Sequence, residues 1–306
     1  MNFNSIKVNL QYFLPKHLLT RGVGLLAGAK LKKVTTAAIR LFIRAYDVDT
    51  SEIEGNIEDF ETFNDFFARA LKHGSRPIDK NKDSLVFPAD GRISQFGSLE
   101  GNFQLQAKNH YFTTAALLGN NDDASLFTDG KFMTIYLSPQ DYHRVHIPAA
   151  GKLLKMTHIP GELFSVNPLY VSEIPELFSR NERVVCLFET AFGKMAVVMV
   201  GAAIVRSIST DWAGVVAPAK SNEVSTFSYD KQNISFAKGD EIGKFMMGST
   251  VICLFENKKI KFEKELTDQQ KTRMGQKMAT LGAAADKKDV IEQKAATKRK
   301  NTRKIS

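Results

Sequence analysis

The sequence predicts an α+β protein, with amphipathic helices at the N-terminus and a mainly antiparallel β body after them. Apolar residues recur at helical spacing before residue 46, and a helix-capping signal follows at residue 62. Short β-rich runs with frequent glycine begin after Arg76-Pro77. We expect three regions: a membrane-facing helical region 1–75, a β-rich catalytic domain 76–266, and a basic, flexible tail 267–306.

The first helical region spans Leu14 to Tyr46 as one or two helices. Its apolar stripe consists of Val34, Ala38, Leu41, Phe42 and Ala45. Residues 1–46 contain eight Lys and Arg and no Asp or Glu. A basic amphipathic helix is typical of a membrane-surface anchor, although the same stripe also suits a helix packed on the core. The absence of acidic residues favours the membrane surface.

A second, shorter helix is predicted after a capping box formed by Thr62 and Asp65, and it should stop near Gly74. Its apolar positions are Phe63, Phe66, Phe67 and Leu71. We expect this stripe to belong to the core and not to a ligand site.

The β body is predicted from four runs, Phe132–Leu137, Arg183–Glu189, Lys194–Ile208 and Ser249–Phe255. Cys186 and Cys253 lie far apart within such runs, at no spacing that suits zinc or redox chemistry, so both are predicted to be buried core residues. From about Asp268 onward the chain is rich in lysine and alanine, which predicts a frayed helix or a disordered tail.

The net charge of +9 is concentrated at the two ends of the chain, and the middle is mildly acidic. This distribution suits an anionic membrane better than a nucleic acid, and no nucleic-acid partner is expected. No apolar run reaches the roughly 18 to 20 residues of a membrane span, and no signal peptide is recognisable. The sequence therefore predicts an intracellular protein that lies on a membrane without crossing it.

The first candidate site is the turn Pro88-Ala89-Asp90-Gly91, which leads into a strand and presents one carboxylate. Since Asp-Gly is a common turn pair, the pattern around Asp90 taken alone favours an ordinary turn residue.

The second candidate is Ser138–Pro148, where His143 and His146 lie three residues apart between prolines. In an irregular turn, both imidazoles could reach one cavity as a base and a second proton carrier. A metal-binding pair, or one core and one surface histidine, would explain the same pattern.

The third candidate is Gly248-Ser249, directly before an apolar strand. Glycine lacks the Cβ that would hinder the approach of the serine hydroxyl to the preceding carbonyl carbon. A tight turn before the strand is the alternative.

Taken together, these motifs resemble the phosphatidylserine decarboxylase family, most of all its bacterial form. The resemblance is carried by the order and separation of Pro88–Gly91, His143–His146, Pro160–Pro168 and Met247–Thr250. It runs from about Leu14, through Thr62–Pro77, to about Phe262, and excludes the tail after Asp268. It departs from the family at Met247, where leucine is usual. The two side chains are similar in size and polarity, so a competent site is expected.

The resemblance implies a proenzyme that cuts itself between Gly248 and Ser249 and converts Ser249 into a covalent pyruvoyl group. Phosphatidylserine would condense with this group as a Schiff base and leave as phosphatidylethanolamine and carbon dioxide. The family's roles assign Asp90, His146 and Ser249 to a charge relay for self-cleavage. They assign His143 to proton donation and to contact with the substrate carboxylate.

The same resemblance implies a complex of the chain's own fragments, 1–248 and 249–306, which is expected to dimerise further. Pyruvate is the only cofactor implied, and no metal is expected. The expected location is the cytoplasmic face of the bacterial inner membrane, as a peripheral protein bound to phosphatidylserine and other anionic lipids.

Two other functions use the same residues. A hydrolase could apply Asp90, His146 and Ser249 to an external ester, but Ser249 lacks the Gly-x-Ser-x-Gly elbow and precedes a strand. A membrane-surface adaptor without catalysis is the second alternative. Only the self-cleaving enzyme would yield two fragments on a denaturing gel.

Overall fold

The computed structural model describes residues 11–12, 16–101, 103–107, 110–202, 207–217, 222–246 and 249–282. Two N-terminal helices, α1 (Lys16–Ala27) and α2 (Lys33–Tyr46), confirm the predicted helical region, and a 3-10 turn follows at Ile57–Asp59. The later helices are short: α3 (Phe63–Phe67), α4 (Thr114–Leu118), α5 (Asn121–Ser125), α6 (Pro168–Val171) and α7 (Leu177–Arg180). None of the helices in these ranges is long and apolar enough to cross a bilayer.

Eighteen strands lie in the described ranges. They are β1 (Ser84–Val86), β2 (Gly91–Ser98), β3 (Phe103–Ala107), β4 (His110–Thr113), β5 (Lys131–Leu137), β6 (Arg144–His146), β7 (Gly151–Ile159), β8 (Arg183–Thr190), β9 (Gly193–Val200), β10 (Ile208–Thr210), β11 (Gly214–Ala217), β12 (Ser225–Ser228), β13 (Ser235–Phe236), β14 (Glu241–Phe245), β15 (Ser249–Phe255), β16 (Ile260–Phe262), β17 (Lys271–Thr272) and β18 (Lys277–Leu281).

The strands form one large sheet and three smaller ones. The nine-stranded sheet has the order β12-β7-β8-β9-β15-β5-β2-β17, with β13 paired to β7. A four-stranded sheet has the order β11-β10-β14-β6, a three-stranded sheet the order β1-β18-β16, and β3 pairs with β4. All of these strand pairings are antiparallel, which confirms the predicted α+β class and its mainly antiparallel body.

Strand β15 lies in the middle of the large sheet, hydrogen-bonded to β9 on one side and β5 on the other. All seven of its residues are buried. Val251, Cys253 and Phe255 face one hydrophobic cluster, while Ile252 and Leu254 face the other. A strand covered on both faces explains the uninterrupted apolar run in the sequence. Both cysteines are buried and free, as predicted.

The capping box at Thr62 is confirmed. The Asp65 backbone N–H donates to Thr62 Oγ1 at 3.1 Å, and the Thr62 N–H donates to Asp65 Oδ2 at 3.1 Å. Helix α3 is shorter than predicted because it ends at Phe67, and Leu71 forms a β-bridge with Ile53. The phenylalanine stripe belongs to the core, as expected, since Phe66 and Phe67 are buried.

Helix α2 turns a different face inward from the predicted stripe. Its buried residues are Thr35 and Ile39, whereas Val34 and Leu41 are 62% and 69% exposed. The helix packs on α3 through Phe42, whose ring lies 5.2 Å from that of Phe63. The α3 phenylalanines thus select the face that contains Ile39 and Phe42, and most of the predicted stripe points outward.

The prediction of a flexible tail from residue 267 is wrong for residues 268–282. Strand β17 pairs with β2, and β18 pairs with both β1 and β16. Met274, Met278 and Ala279 are buried. The lysine- and alanine-rich composition that suggested disorder is concentrated in residues 283–306, which lie outside the described residues.

Candidate active site

Ser249 is the first residue of the central strand β15 and is fully buried. It pairs with Leu137 across the sheet. Its hydroxyl oxygen lies 3.4 Å from Nδ1 of His143. The other half of the predicted cleavage site, Gly248, lies outside the described residues, as does Met247.

His143 presents an unprotonated nitrogen to Ser249. Its Nε2 lies 3.1 Å from the Ser138 carbonyl oxygen, which can only accept, so Nε2 carries the ring proton. Complete burial, helped by the positive charge of Arg69, lowers the pKa of His143 to about 3. The ring lies against Phe67, with centroids 4.2 Å apart. The imidazole is therefore neutral near pH 7, and its Nδ1 can accept a proton from the Ser249 hydroxyl.

His146, at the end of β6, has both ring nitrogens occupied. Nδ1 donates to the Gly239 carbonyl oxygen at 2.8 Å, and Nε2 lies 3.0 Å from the Tyr142 hydroxyl, which donates to it. Burial lowers the pKa of His146, so this imidazole is also neutral. The predicted contact between His146 and Ser249 is not formed in this structure, because Gly239 and Tyr142 fill both positions.

Asp90 is bound by groups other than His146. Its Oδ1 accepts from Arg76 Nε at 2.9 Å and from the Met274 backbone N–H at 2.8 Å. Its Oδ2 accepts from Arg76 Nη2 at 2.5 Å, and the same guanidinium donates to Glu52. The hydrogen bond from His146 to Asp90 that a charge relay requires is therefore also not formed here. Asp90 still acts on His146 through its charge, which is one of the influences that raise the pKa of that imidazole.

The Asp90 turn is fixed by its backbone. A Cβ at Gly91 would lie 2.3 Å from the Tyr136 carbonyl oxygen, so the strand after the turn tolerates only glycine there. The Pro88 carbonyl accepts the His146 N–H at 2.8 Å, which joins the turn to β6. Asp90 and His146 thus lie on neighbouring segments, although their side chains do not meet.

Four residues of this site were not predicted from the sequence: Arg69, Arg76, Tyr142 and Gly239. Tyr142 stands inside the histidine motif, and Arg76 precedes Pro77 at the predicted domain border, so both had weak signals. Arg69 and Gly239 contact partners 71 and 93 residues away in the chain, so only the fold brings them together.

The profile of the family described as Phosphatidylserine decarboxylase matches residues 63–280. The chain belongs to the phosphatidylserine decarboxylase family. A second profile, described as PSD, matches residues 6–47, which contain both α1 and α2. The match to residue 280 extends the predicted family resemblance, which ended near Phe262, through β17 and β18.

Curated relatives carry the name phosphatidylserine decarboxylase proenzyme. That of Shewanella sediminis is 51% identical over 284 residues, which cover 91% of this chain and 99% of the relative. The proteins of Shewanella woodyi and Shewanella amazonensis are 50% and 49% identical, again over 91% of this chain and 99% of each relative.

The family motif Pro160–Pro168 connects the β body to the N-terminal helices. The Asn181 side chain accepts the Phe164 N–H at 3.0 Å and donates to the Phe164 carbonyl at 2.8 Å. Lys16 of α1 lies 3.8 Å above the Phe164 ring and pairs with Glu162 at 2.8 Å. This segment of the decarboxylase family thus anchors α1 on the catalytic body.

Proposed function

We propose that this chain is a proenzyme that cuts itself between Gly248 and Ser249 and then converts phosphatidylserine into phosphatidylethanolamine and carbon dioxide. The observation that supports this most is the buried Ser249 hydroxyl beside the unprotonated Nδ1 of His143, at 3.4 Å. A serine in contact with a neutral imidazole is the arrangement that nucleophilic attack requires.

The pyruvoyl group of the mature enzyme is made from Ser249 itself, and the residues present fit this origin. The side chain supplies the hydroxyl, glycine precedes it, and a nitrogen base is in contact. Once formed, the group supplies a ketone that takes the substrate amine and accepts the electron pair left by carbon dioxide.

Cleavage proceeds by attack of Ser249 Oγ on the Gly248 carbonyl carbon. The hydroxyl proton passes to an imidazole, the peptide C–N bond breaks, and the freed nitrogen takes a proton, leaving an ester. Loss of the Ser249 α-proton expels the Gly248 carboxylate and ends the 1–248 chain. Hydrolysis by one water releases ammonia and leaves the ketone at the start of the 249–306 chain.

For the base in this step we assign His146, oriented by Asp90, with Ser249 as the nucleophile. This requires the His146 ring to break its hydrogen bond with Tyr142 or with Gly239 and to rotate toward Ser249. The observed contact between His143 and Ser249 favours the competing assignment, in which His143 takes the proton directly. Single variants of the two histidines separate these assignments.

After cleavage, His143 is the side chain placed beside residue 249, where carbon dioxide leaves and a proton must be returned. A substrate carboxylate next to His143 would raise the pKa of the imidazole, because the negative charge stabilises the imidazolium form. The protonated Nδ1 can then donate to the substrate carbon.

Docking on an anionic bilayer at the cytoplasmic face of the inner membrane is part of the same proposal. The outer side of α1, α2 and their connection carries exposed apolar side chains, which are Leu25, Leu26, Leu31, Val34 and Leu41. Basic side chains flank them at Lys30, Lys32, Lys33 and Arg40. Such a face suits the boundary between headgroups and acyl chains.

Mass spectrometry of the purified protein tests the proposal. The wild type should give two chains, 1–248 and 249–306, with the smaller one blocked at its terminus by the pyruvoyl group. Ser249→Ala should give one uncut, inactive chain of 306 residues, and Ser249→Cys should cut slowly, because a thiol attacks but eliminates differently. Two fragments from Ser249→Ala would refute the mechanism, and ester hydrolysis without carbon dioxide release would favour a hydrolase. Native mass spectrometry of the cut protein tests the further dimerisation of the two-chain unit.

A further inference from the structure

Arg69 is a buried arginine whose donors are only partly used. Its side chain lies just after α3, and the residue is 3% exposed. Nη2 donates to the carbonyl oxygens of Gln140 at 2.7 Å and Asp141 at 3.1 Å. Within the described residues, Nε and Nη1 have no hydrogen-bond partner.

Arg183 shows how the same fold satisfies a buried arginine that has only a structural role. It is also 3% exposed, and burial lowers the pKa of both guanidinium groups to about 10. Arg183 donates from Nε, Nη1 and Nη2 to the carbonyls of Leu117, Asn181 and Ala116. A buried charge is unfavourable unless its donors are filled. Arg69 differs from Arg183 because two of its three guanidinium nitrogens have no acceptor among the described residues, so it is suited to bind an anion.

The nearby carboxylates do not fill this role. Asp141 accepts from the backbone and hydroxyl of Ser138, and Asp90 is held by Arg76 and Met274. Both act on Arg69 only through their charges.

The position of Arg69 matches the order of groups in the lipid. Ser249 contacts His143, and the Arg69 guanidinium carbon lies 5.2 Å from the centre of the Phe66 ring. Phe66 in turn lies 6.1 Å from Phe42 of α2, on the helix whose outer face we assign to the membrane. The Arg69 guanidinium also lies close enough to His143 for its charge to help lower the pKa of that buried imidazole. Phosphatidylserine presents its amine, its carboxyl carbon, its phosphodiester and its acyl chains in the same order.

We propose that Arg69 binds the phosphodiester of the lipid substrate with the donors that the fold leaves open. This inference rests on the proposed function. Arginine forms strong charge-assisted hydrogen bonds with phosphate oxygens. The serine carboxylate is the less suitable ligand, because tight binding of a group that must leave as neutral carbon dioxide would stabilise the ground state and slow the reaction.

A comparison of two substrates tests the phosphodiester directly. Short-chain phosphatidylserine is compared with its methylphosphonate analogue, which has the same shape but no charge at phosphorus. The wild type should process the neutral analogue about 10- to 100-fold less efficiently, in line with loss of charged hydrogen bonds. Arg69→Ala should lower kcat/KM for phosphatidylserine by a similar factor and remove the difference between the two substrates. Lys72→Ala, an exposed change three residues away, should behave as the wild type.

Binding of the product separates the phosphodiester from the carboxylate, since phosphatidylethanolamine has lost the latter. In calorimetric titrations, Arg69→Ala should bind short-chain phosphatidylethanolamine at least 10-fold more weakly than the wild type, and Arg69→Lys should lie between them. Equal binding by all three proteins would overturn the inference. So would a wild type that makes no distinction between charged and neutral phosphorus, a result that does not depend on any variant folding. A wild type that fails to release carbon dioxide from phosphatidylserine would instead count against the proposed function.

Discussion

At the scale of single residues, the two histidines differ in the group that lies next to their unprotonated ring nitrogen. His143 Nδ1 faces the Ser249 hydroxyl, while His146 Nε2 accepts from Tyr142. The sequence placed both imidazoles in one motif but could not rank them, because a spacing of three in an irregular segment leaves side-chain direction open. Their roles in cutting and in decarboxylation therefore need separate readouts.

Under our assignment, His146→Ala should remain uncut, because the Ser249 hydroxyl is a poor nucleophile without its base. Asp90→Ala should resemble it, less severely. His143→Ala should still cut but decarboxylate about 100-fold more slowly, as expected for loss of a positioned proton donor. Gels run beside a carbon dioxide release assay measure both steps. If His143→Ala stays uncut while His146→Ala matures, the observed Ser249 contact identifies the base and the two roles are reversed.

The buried neutral histidines should also make the uncut chain acid-sensitive. The pKa of His143 falls from 6.5 to about 3 on folding, and that of His146 is lowered too. The unfolded chain therefore binds more protons below pH 6.5, so this stability is present above pH 6.5 and is lost as the pH falls toward 3. Melting temperatures of Ser249→Ala should drop between pH 7 and pH 5. The drop should be smaller when His143→Gln is added, and an unchanged pH slope would contradict the burial of a neutral His143.

At the scale of elements, the sequence predicts best where one local signal decides. The Thr62 capping box, the two buried cysteines and three of the four main strand runs were predicted, whereas the run Lys194–Ile208 was predicted too long, since β9 ends at Val200. The inward face of α2 was not predicted, because the face is selected by contact with the distant α3 phenylalanines. Strand β18 was not predicted, because it is held between the nearby strand β16 and β1, which lies far away in the chain and meets it only in the folded protein. The Arg76–Asp90 ion pair was not predicted either, because its two residues lie 14 apart in the chain and meet only in the folded protein.

The turn that holds Asp90 depends on Gly91. In Gly91→Ala, the new Cβ would meet the Tyr136 carbonyl oxygen at 2.3 Å, so the strand must move. We expect a loss of roughly 2 to 4 kcal/mol in the free energy of unfolding, measured in denaturant, and slower self-cleavage. Gly22→Ala is the matched control: Gly22 lies in α1 with nothing within 4 Å of the added carbon, so its effect should be neutral or slightly stabilising. Equal effects of the two changes would show that the close approach at Gly91 is unimportant.

The outer face of α1 and α2 should govern membrane binding. Leu25→Asp combined with Leu41→Asp removes two exposed apolar side chains and adds negative charge, so binding to anionic liposomes should fall at least 10-fold. Deletion of residues 1–46 should have a larger effect, and added salt should weaken binding by the wild type. Val215→Asp on β11 is the control, since Val215 is 64% exposed but far from these helices in the chain. If the double variant co-sediments with anionic liposomes as well as the wild type does, the helices serve only the fold and do not bind the membrane.

At the scale of the whole molecule, the proposed cut separates two chain segments that share one hydrophobic core. The 249–306 chain supplies β15, the central strand of the large sheet, together with β16, β17 and β18. The 1–248 chain supplies the strands on both sides of β15. Polar contacts also cross between the two, since Asp90 accepts from the Met274 backbone and Glu52 pairs with Arg273. A strand buried on both faces cannot leave without exposing the whole core.

The two chains of the cut protein should therefore remain one folded unit without any covalent link. The described cysteines, Cys186 and Cys253, are free and buried, so a reducing agent should not separate the chains. Size-exclusion chromatography under native conditions should give both chains in one peak, with or without reductant, and denaturant should release them in a single unfolding transition. The uncut Ser249→Ala chain is the control, and its unfolding should depend less on protein concentration because its two parts remain covalently joined. Elution of a free 249–306 chain under native conditions would mean that cleavage rearranges the sheet, because β15 can leave its place between β5 and β9 only if those two strands find new partners.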